Sequence, residues 1–202
     1  MTKENKEKLK TWRIQKIEEC KQFPKYFYYF SFIDNFESIM SNGILAKNDI
    51  KQKKLITKSF ADVDVQNFRK DMNFFISGSL KKNLHDLVPL YLTSKTPTLY
   101  VRKDIQNQLF FLLINSKKLI SDMSINFAFT DGNATNQTTK SYWKLDKLKN
   151  LDWKIINGQS WNDKKDGKRI RNSEFLIFPK IEIKHVDTIS CYDTSGLLII
   201  SS

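Results

Sequence analysis

Cysteine and histidine are almost missing from this 202-residue chain, which holds two of each: Cys20, Cys191, His85 and His185. Two cysteines build neither a disulfide framework nor a thiolate metal cluster. Two histidines without an HExxH spacing supply no ligand set for a catalytic zinc, so no metal is expected. The Gly-rich phosphate loops GxxxxGK[ST] and GxGxxG are missing as well. No apolar run is long enough to span a bilayer, and the first residues are charged and polar where a signal peptide would be apolar. The expectation is a soluble, cytoplasmic protein with no membrane partner.

What the chain does hold is apolar mass and positive charge. Hydrophobic residues make up 40% and charged residues 28%, the balance of a globular domain rather than a disordered one. The length suits one domain with a real core. A net charge of +12 favours an anionic partner such as nucleic acid, although a Lys- and Asn-rich chain also follows from base bias in a genome. Four Trp, seven Tyr and fifteen Phe offer faces on which unstacked bases could sit, while most of them must fill the core.

Along the chain, Leu9, Trp12, Ile17 and Cys20 recur at near-helical spacing, which predicts an amphipathic helix over 3–21 packed on the domain. Residues 1–22 thus read as an extension and 23–202 as the domain proper. The aromatic run 26–32 predicts a central strand. Asp34 followed by Glu37 predicts a capping box, with Ile33, Phe36, Ile39 and Met40 as the buried stripe and Gly43 as the C-cap. The Lys-rich stretch 46–58 and residues 73–83 read as loops, with a helix carrying Arg69 between Phe60 and Met72. Pro89 argues that 84–92 is an edge strand or a bulge, and Pro97 opens a further extended stretch. Strands are expected at 109–114, 125–130, 174–178, 182–189 and Leu197–Ile200, with a helical face over 144–153 and a polar loop around Trp161 over 157–166. Strands outnumber helices and do not alternate with them, so the fold class is α+β.

One carboxylate stands out. Glu174 follows a basic segment containing Arg169 and Arg171 and precedes four uncharged apolar residues closed by Pro179. An acid at the lip of a buried strand is pulled up by desolvation and down by neighbouring arginines. On that segment alone a solvated residue paired with Arg171 is the simpler reading. Three functions fit the chain. A nuclease needs clustered acids for Mg²⁺, and the acids here are scattered. A non-catalytic nucleic-acid binder needs only charge and aromatics. A glycosyl transferase needs one strand-borne carboxylate at an anomeric carbon, an arginine for a diphosphate and an aromatic on the leaving ring, roles open to Glu174, Arg69 and Tyr91 or Tyr29.

The ordered blocks YFSFIDNFESIMSNGIL (29–45), VQNFR (65–69), LHDLVPLYLTSKTPTLY (84–100), FTDGNA (129–134), LDWKII (151–156) and RNSEFLIFP (171–179) resemble the DarT family of DNA ADP-ribosyltransferase toxins, which pair with DarG antitoxins. The resemblance implies an ADP-ribosyltransferase fold with a split, mixed β-sheet and peripheral helices. It implies NAD⁺ as co-substrate, transfer of ADP-ribose to a base of single-stranded DNA, and a DarG-like macrodomain or other ADP-ribosyl hydrolase as antagonist in a bacterial cytoplasm. Transfer to RNA is the alternative substrate. Position by position, Glu174 matches the family's catalytic glutamate and Arg69 its NAD⁺-contacting arginine with a part in proton transfer. Tyr29, Phe30 and Ser31 match the His-x-Thr that grips the nicotinamide side. Ser38, Ala46 and Tyr91 fall on further NAD⁺-lining positions. Asn133, Trp161, Arg169 and Arg171 fall in or beside the substrate-reading region and are candidate DNA contacts. Tyr for His at 29, Ser for Thr at 31 and Asn133 in place of a histidine depart from thymidine-modifying members, and the reading leans slightly to guanine over thymine.

Overall fold

Residues 2–59 and 63–192 are described by a computed structural model of the chain. Its helices are α1 (Lys3–Glu19), α2 (Phe36–Asn42), α3 (Lys47–Gln52), α4 (Val63–Asp71), α5 (Pro97–Tyr100), α6 (Ser116–Ser121), α7 (Trp153–Asn157) and α8 (Gly167–Arg171). Its strands are β1 (Tyr26–Phe32), β2 (Asn73–Ser77), β3 (Leu80–Asn83), β4 (Val88–Tyr91), β5 (Leu109–Asn115), β6 (Asn126–Thr130), β7 (Ser141–Tyr142), β8 (Glu174–Phe178) and β9 (Val186–Cys191). Seven strands form one sheet in the order β7-β6-β8-β4-β1-β5-β9, and β2 and β3 form a separate hairpin. The architecture is α+β. Every pairing among the described strands is antiparallel, where the resemblance implied a mixed sheet.

The sheet is split. β1 ladders with β5 along its full length, from Tyr26↔Asn115 to Phe32↔Leu109, yet meets β4 at one pair only, Tyr28↔Tyr91. β4 in turn ladders with β8 from Val88↔Ile177 to Tyr91↔Glu174. Pro89 therefore sits in a strand that is interior by order but fully laddered on one side only. The expected edge strand or bulge is corrected to this half-open position, where a missing N–H is tolerated.

Apolar alternation fixes the register of β8. Phe175 and Ile177 are fully buried in the main core, and the Phe175 ring stacks on Phe27 at 4.6 Å and on Phe129 at 5.6 Å between centroids. Glu174 and Leu176 then face the other side, where Leu176 joins a second cluster with Ile76, Leu84, Leu87 and Ala134. Gly43 closes α2 as expected, its amide donating to Ile39 O. Its φ of +79° and the Ile181 carbonyl 2.6 Å from where a Cβ would stand leave room for glycine alone.

Several local expectations change. Asp34 does not cap a helix: residues 33–35 form a 3₁₀ turn, Asn35 occupies the N-cap without a side-chain bond, and Asp34 pairs with Lys58 at 3.2 Å. The Lys-rich stretch holds α3, and 73–83 is the β2–β3 hairpin rather than a loop. Residues 97–100 are helical because Thr96 Oγ1 accepts from Leu99 N and Pro97 suits the first turn. The face over 144–153 is a 3₁₀ turn followed by α7. Residues 183–185 form another 3₁₀ turn, so the strand expected at 182–189 begins only at Val186. The helix expected from Phe60 begins, as described, at Val63, and the strand expected at Leu197–Ile200 lies outside the described residues.

α1 packs through Ile17, but its firmest anchor is polar. Buried Arg13 donates from Nη1 to the carbonyls of Ile120 (3.1 Å), Asp122 (3.3 Å) and Ile125 (3.1 Å), and its guanidinium lies 5.2 Å from the Phe127 ring centre. Arg13→Ala strands those three acceptors, and a loss on the order of 3 kcal/mol is expected in urea denaturation. An unchanged midpoint would contradict the anchoring role.

Candidate active site

Glu174 opens β8 at the mouth of the split. It is 4% exposed and Arg69 8%, so both charges are out of bulk water. Arg69 Nη1 donates to both carboxylate oxygens, at 3.2 Å to Oε1 and 3.0 Å to Oε2. The Ala134 amide is the second donor and adds a third hydrogen bond, to Oε1 at 3.2 Å. From behind, the Glu174 N–H donates to Thr130 Oγ1 at 3.0 Å, and the Thr130 hydroxyl donates to Gly132 O at 2.7 Å. The carboxylate is thereby held by α4, by the turn after β6 and by its own strand. Its partner is Arg69, not Arg171.

Tyr91 lies directly opposite Glu174 and shares its face. The Phe30 ring stacks on Tyr91 at 5.2 Å with a 12° interplanar angle. Burial pushes the Tyr91 hydroxyl up to about 12, and the Glu174 charge adds to it. Burial also raises Tyr29 to about 12, against a hydrogen bond with Ser31 that pulls it down. Tyr29 and Ser31 alternate to the other side of β1, where Ser31 Oγ accepts from Asn35 Nδ2 at 2.9 Å. Ser38 is half-buried on α2, and Ala46, 1% exposed, is the N-cap residue of α3. The structure thus gathers Glu174, Arg69, Tyr91 and Phe30, with Tyr29 and Ser31 on the strand's opposite side.

Two cations and a histidine meet beside this group. Lys47 Nζ donates to Gln66 Oε1 at 2.9 Å, tying α3 to α4 one turn before Arg69. Asn48 Nδ2 donates to Asp86 Oδ1 at 2.6 Å, tying α3 to the 3₁₀ turn at 84–86 that carries His85. Burial lowers the pKa of Lys47, and the Arg69 charge adds to that. Burial also lowers His85, reinforced by Lys47 and Arg69, so its ring is neutral near pH 7. Arg69 Nη2 and His85 Nε2 are buried without hydrogen-bond partners. Buried polar atoms are nearly always bonded, so the orphaned Arg69 Nη2 beside Lys47 marks a place for an anion, and His85 Nε2 a further polar contact. Sequence reading missed Lys47, and it could not see the Ala134 amide. Thr130 was visible only as part of the FTDGNA block.

The four candidate DNA contacts separate. Arg171, 1% exposed, donates to the carbonyls of Lys95 (2.7 Å), Ile155 (2.7 Å) and Gly158 (2.6 Å). Arg169 is paired with Asp131 and Asp166 and donates to Thr139 Oγ1. Both guanidiniums are already engaged: one braces loops, the other is paired with two acids. Asn133 Oδ1 accepts from Thr135 N and Oγ1, and the half-buried Trp161 packs edge-on against Tyr100. Among the described residues no group of three His, Cys, Asp or Glu could hold a metal, and no helix is long and apolar enough to cross a membrane.

A split antiparallel sheet with an arginine-clasped glutamate at its mouth defines an ADP-ribosyltransferase-like protein. Comparison with known proteins narrows the class. A family model described as "ssDNA thymidine ADP-ribosyltransferase, DarT" matches residues 28–198, and the chain belongs to this family. The DNA ADP-ribosyl transferase of Thermus sp. strain 2.9 is 23% identical over 175 residues, covering 84% of this chain and 82% of the relative. That of Thermus aquaticus is 27% identical over 160 residues, covering 76% and 69%. Among solved structures, Thermus sp. 2.9 DarT in complex with ADP-ribosylated ssDNA matches with a TM-score of 0.76 at 23% identity, covering 88% of each chain. Thermosipho africanus DarTG in complex with ADP-ribose matches with 0.74 at 21% identity, covering 88% of this chain and 48% of that one.

Two measurements check this geometry. Thr130→Val leaves the buried Glu174 amide without its acceptor and should cost about 1–3 kcal/mol in thermal denaturation; full stability would refute that link. Tyr29 and Tyr91 are shifted up, so their contribution to stability is present below the ordinary tyrosine value of 10 and is lost as pH rises towards about 12. Ultraviolet titration of the native protein should show a late-ionising class of phenols, and a single class at the ordinary value would contradict their burial.

Proposed function

We propose that this chain transfers ADP-ribose from NAD⁺ to a nucleobase of single-stranded DNA and releases nicotinamide, acting as a toxin against DNA replication. The observation that carries the proposal is the buried Arg69–Glu174 pair beside two unpartnered buried nitrogens. The cation group fits a dinucleotide: Arg69 and Lys47 meet the diphosphate, and His85 Nε2 offers a further polar contact. Phe30 and Tyr91 supply the aromatic wall for the nicotinamide ring, Ser38 and Ala46 line the α2–α3 side, and Tyr29 and Ser31 back the wall from the opposite side of β1.

NAD⁺ supplies an anomeric carbon whose bond to nicotinamide breaks as a bond to the base forms. The Glu174 carboxylate stabilises positive charge developing on the sugar and takes the proton the attacking base gives up. Arg69 keeps that carboxylate oriented and leaves with it a single bonded geometry. Because the pair is buried, its field acts in a low dielectric and is worth more than it would be in water. Asn133 and Trp161 are the contacts proposed for the acceptor strand.

The acceptor is thymine or guanine. The family description names thymidine, while Tyr29, Ser31 and Asn133 depart from the family's pattern, which weakens thymine as the acceptor and leaves guanine beside it. A DarG-like ADP-ribosyl hydrolase is the natural antagonist, the bacterial cytoplasm the setting, and residues 1–22 an extension packed on the transferase domain.

Incubation with NAD⁺ and single-stranded oligonucleotides, followed by mass analysis of the digested nucleosides, tests the proposal. A mass increase of one ADP-ribose on thymidine or deoxyguanosine is expected, and Glu174→Ala should abolish it. No adduct on any DNA would overturn the proposal, and adducts on RNA alone would replace the substrate.

A further inference from the structure

The cross-strand row that starts at Glu174 continues beyond Tyr91. Tyr91 is paired with Tyr28 of β1, so the carboxylate and both phenols share one face of the sheet. Two strand spacings, about 10 Å, separate Glu174 from Tyr28. There the row opens into a cleft of about 250 Å³ lined by Lys25, Tyr26, Tyr28, Lys95, Gln159 and Arg171, among others.

The cleft is built rather than incidental. Buried Arg171 bonds the Lys95 carbonyl on one wall and the Gly158 carbonyl on the other, fixing their separation. At the rim, Lys25 Nζ stands 4.8 Å from the Tyr26 ring centre, and Lys95 Nζ donates to Gln159 Oε1 at 2.9 Å. The Lys95 ammonium has only a neutral amide beside it, and the Lys25 ammonium, against the Tyr26 ring, is only partly offset by Asp187, whose carboxylate already pairs with Lys118, unlike Arg169 with its two acids. Clefts that enclose a drug-sized ligand run to roughly 300–1,000 Å³, so this one is too small for a dinucleotide and suits one nucleotide unit.

We infer that this cleft is a second subsite for single-stranded DNA, holding a nucleotide that flanks the acceptor base. Lys25 and Lys95 bind its phosphate, and the Tyr26 and Tyr28 rings receive its base. The inference rests on the function proposed above and adds the path of the strand: from Glu174, across Tyr91, to Tyr28.

The test is binding of single-stranded oligonucleotides of increasing length, in a salt series, by the parent and a Lys25→Ala/Lys95→Ala variant. The parent should gain affinity once the strand is long enough to reach the cleft. The variant should lose about tenfold on long strands and nothing on the shortest. Its slope of log affinity against log salt should fall by about 0.7 for each phosphate contact removed. Its KM for NAD⁺ should not move, and Tyr28→Ala should reproduce the length-dependent loss by removing a stacking face. Equal affinity and slope in variant and parent would overturn the subsite while leaving the transferase reading intact. Binding without any ADP-ribosyl transfer would overturn the transferase reading, yet the same salt slopes would still report on the cleft. Equal length-dependent gain on RNA of the same sequence would overturn the assignment to DNA.

Discussion

The contact between Arg69 and Glu174 joins residues 105 positions apart and is the constraint the rest of the molecule serves. Burying two charges costs several kcal/mol each unless each finds its partner and further hydrogen bonds. The second condition is met asymmetrically. Glu174 has the Ala134 amide and a backbone anchored on Thr130, while Arg69 keeps one nitrogen unpartnered. The carboxylate is a finished structure; the guanidinium is open towards the Lys47 ammonium and the neutral His85 ring. That asymmetry points a site, rather than a mere ion pair, at an anionic substrate.

The pair forms only if β8 keeps its register. A slip of one residue would send Glu174 into the apolar core and Phe175 into the cleft. Phe175 prevents it, packed among Phe27, Phe127 and Phe129. The opening between β1 and β4 matters as much. With a single bridge between them, the sheet parts beside the row Glu174, Tyr91, Tyr28, and a polar cleft reaches strands that a continuous ladder would have sealed. Pro89, awkward in a regular interior strand, is at home in that opening.

The strand behind Glu174 was legible from its apolar run and closing proline, and β1 from its aromatic density. The partner was not. Arg171 lies three residues away in sequence, but α8 turns its guanidinium into the loops around Lys95 and Gly158, and Arg69 was linked to Glu174 only through resemblance to a family. Periodicity failed at α3, which buries none of its own residues and so shows no apolar stripe. It failed at the β2–β3 hairpin because Lys81 and Lys82 masked the Phe74/Ile76 alternation and the turn at Gly78. Backbone donors such as the Ala134 amide carry no side-chain signature, and salt-bridged arginines such as Arg169 look in sequence like free ones.

The central claim is that the Glu174 charge, not its shape, does the chemistry. Glu174→Gln keeps the volume and one acceptor oxygen while removing the charge. Single-turnover transfer to single-stranded DNA, measured beside NAD⁺ affinity, separates the two. The account predicts NAD⁺ binding within a few-fold of the parent and a transfer rate lower by about 10³ or more. A glutamine variant that transfers at the parent rate would contradict it.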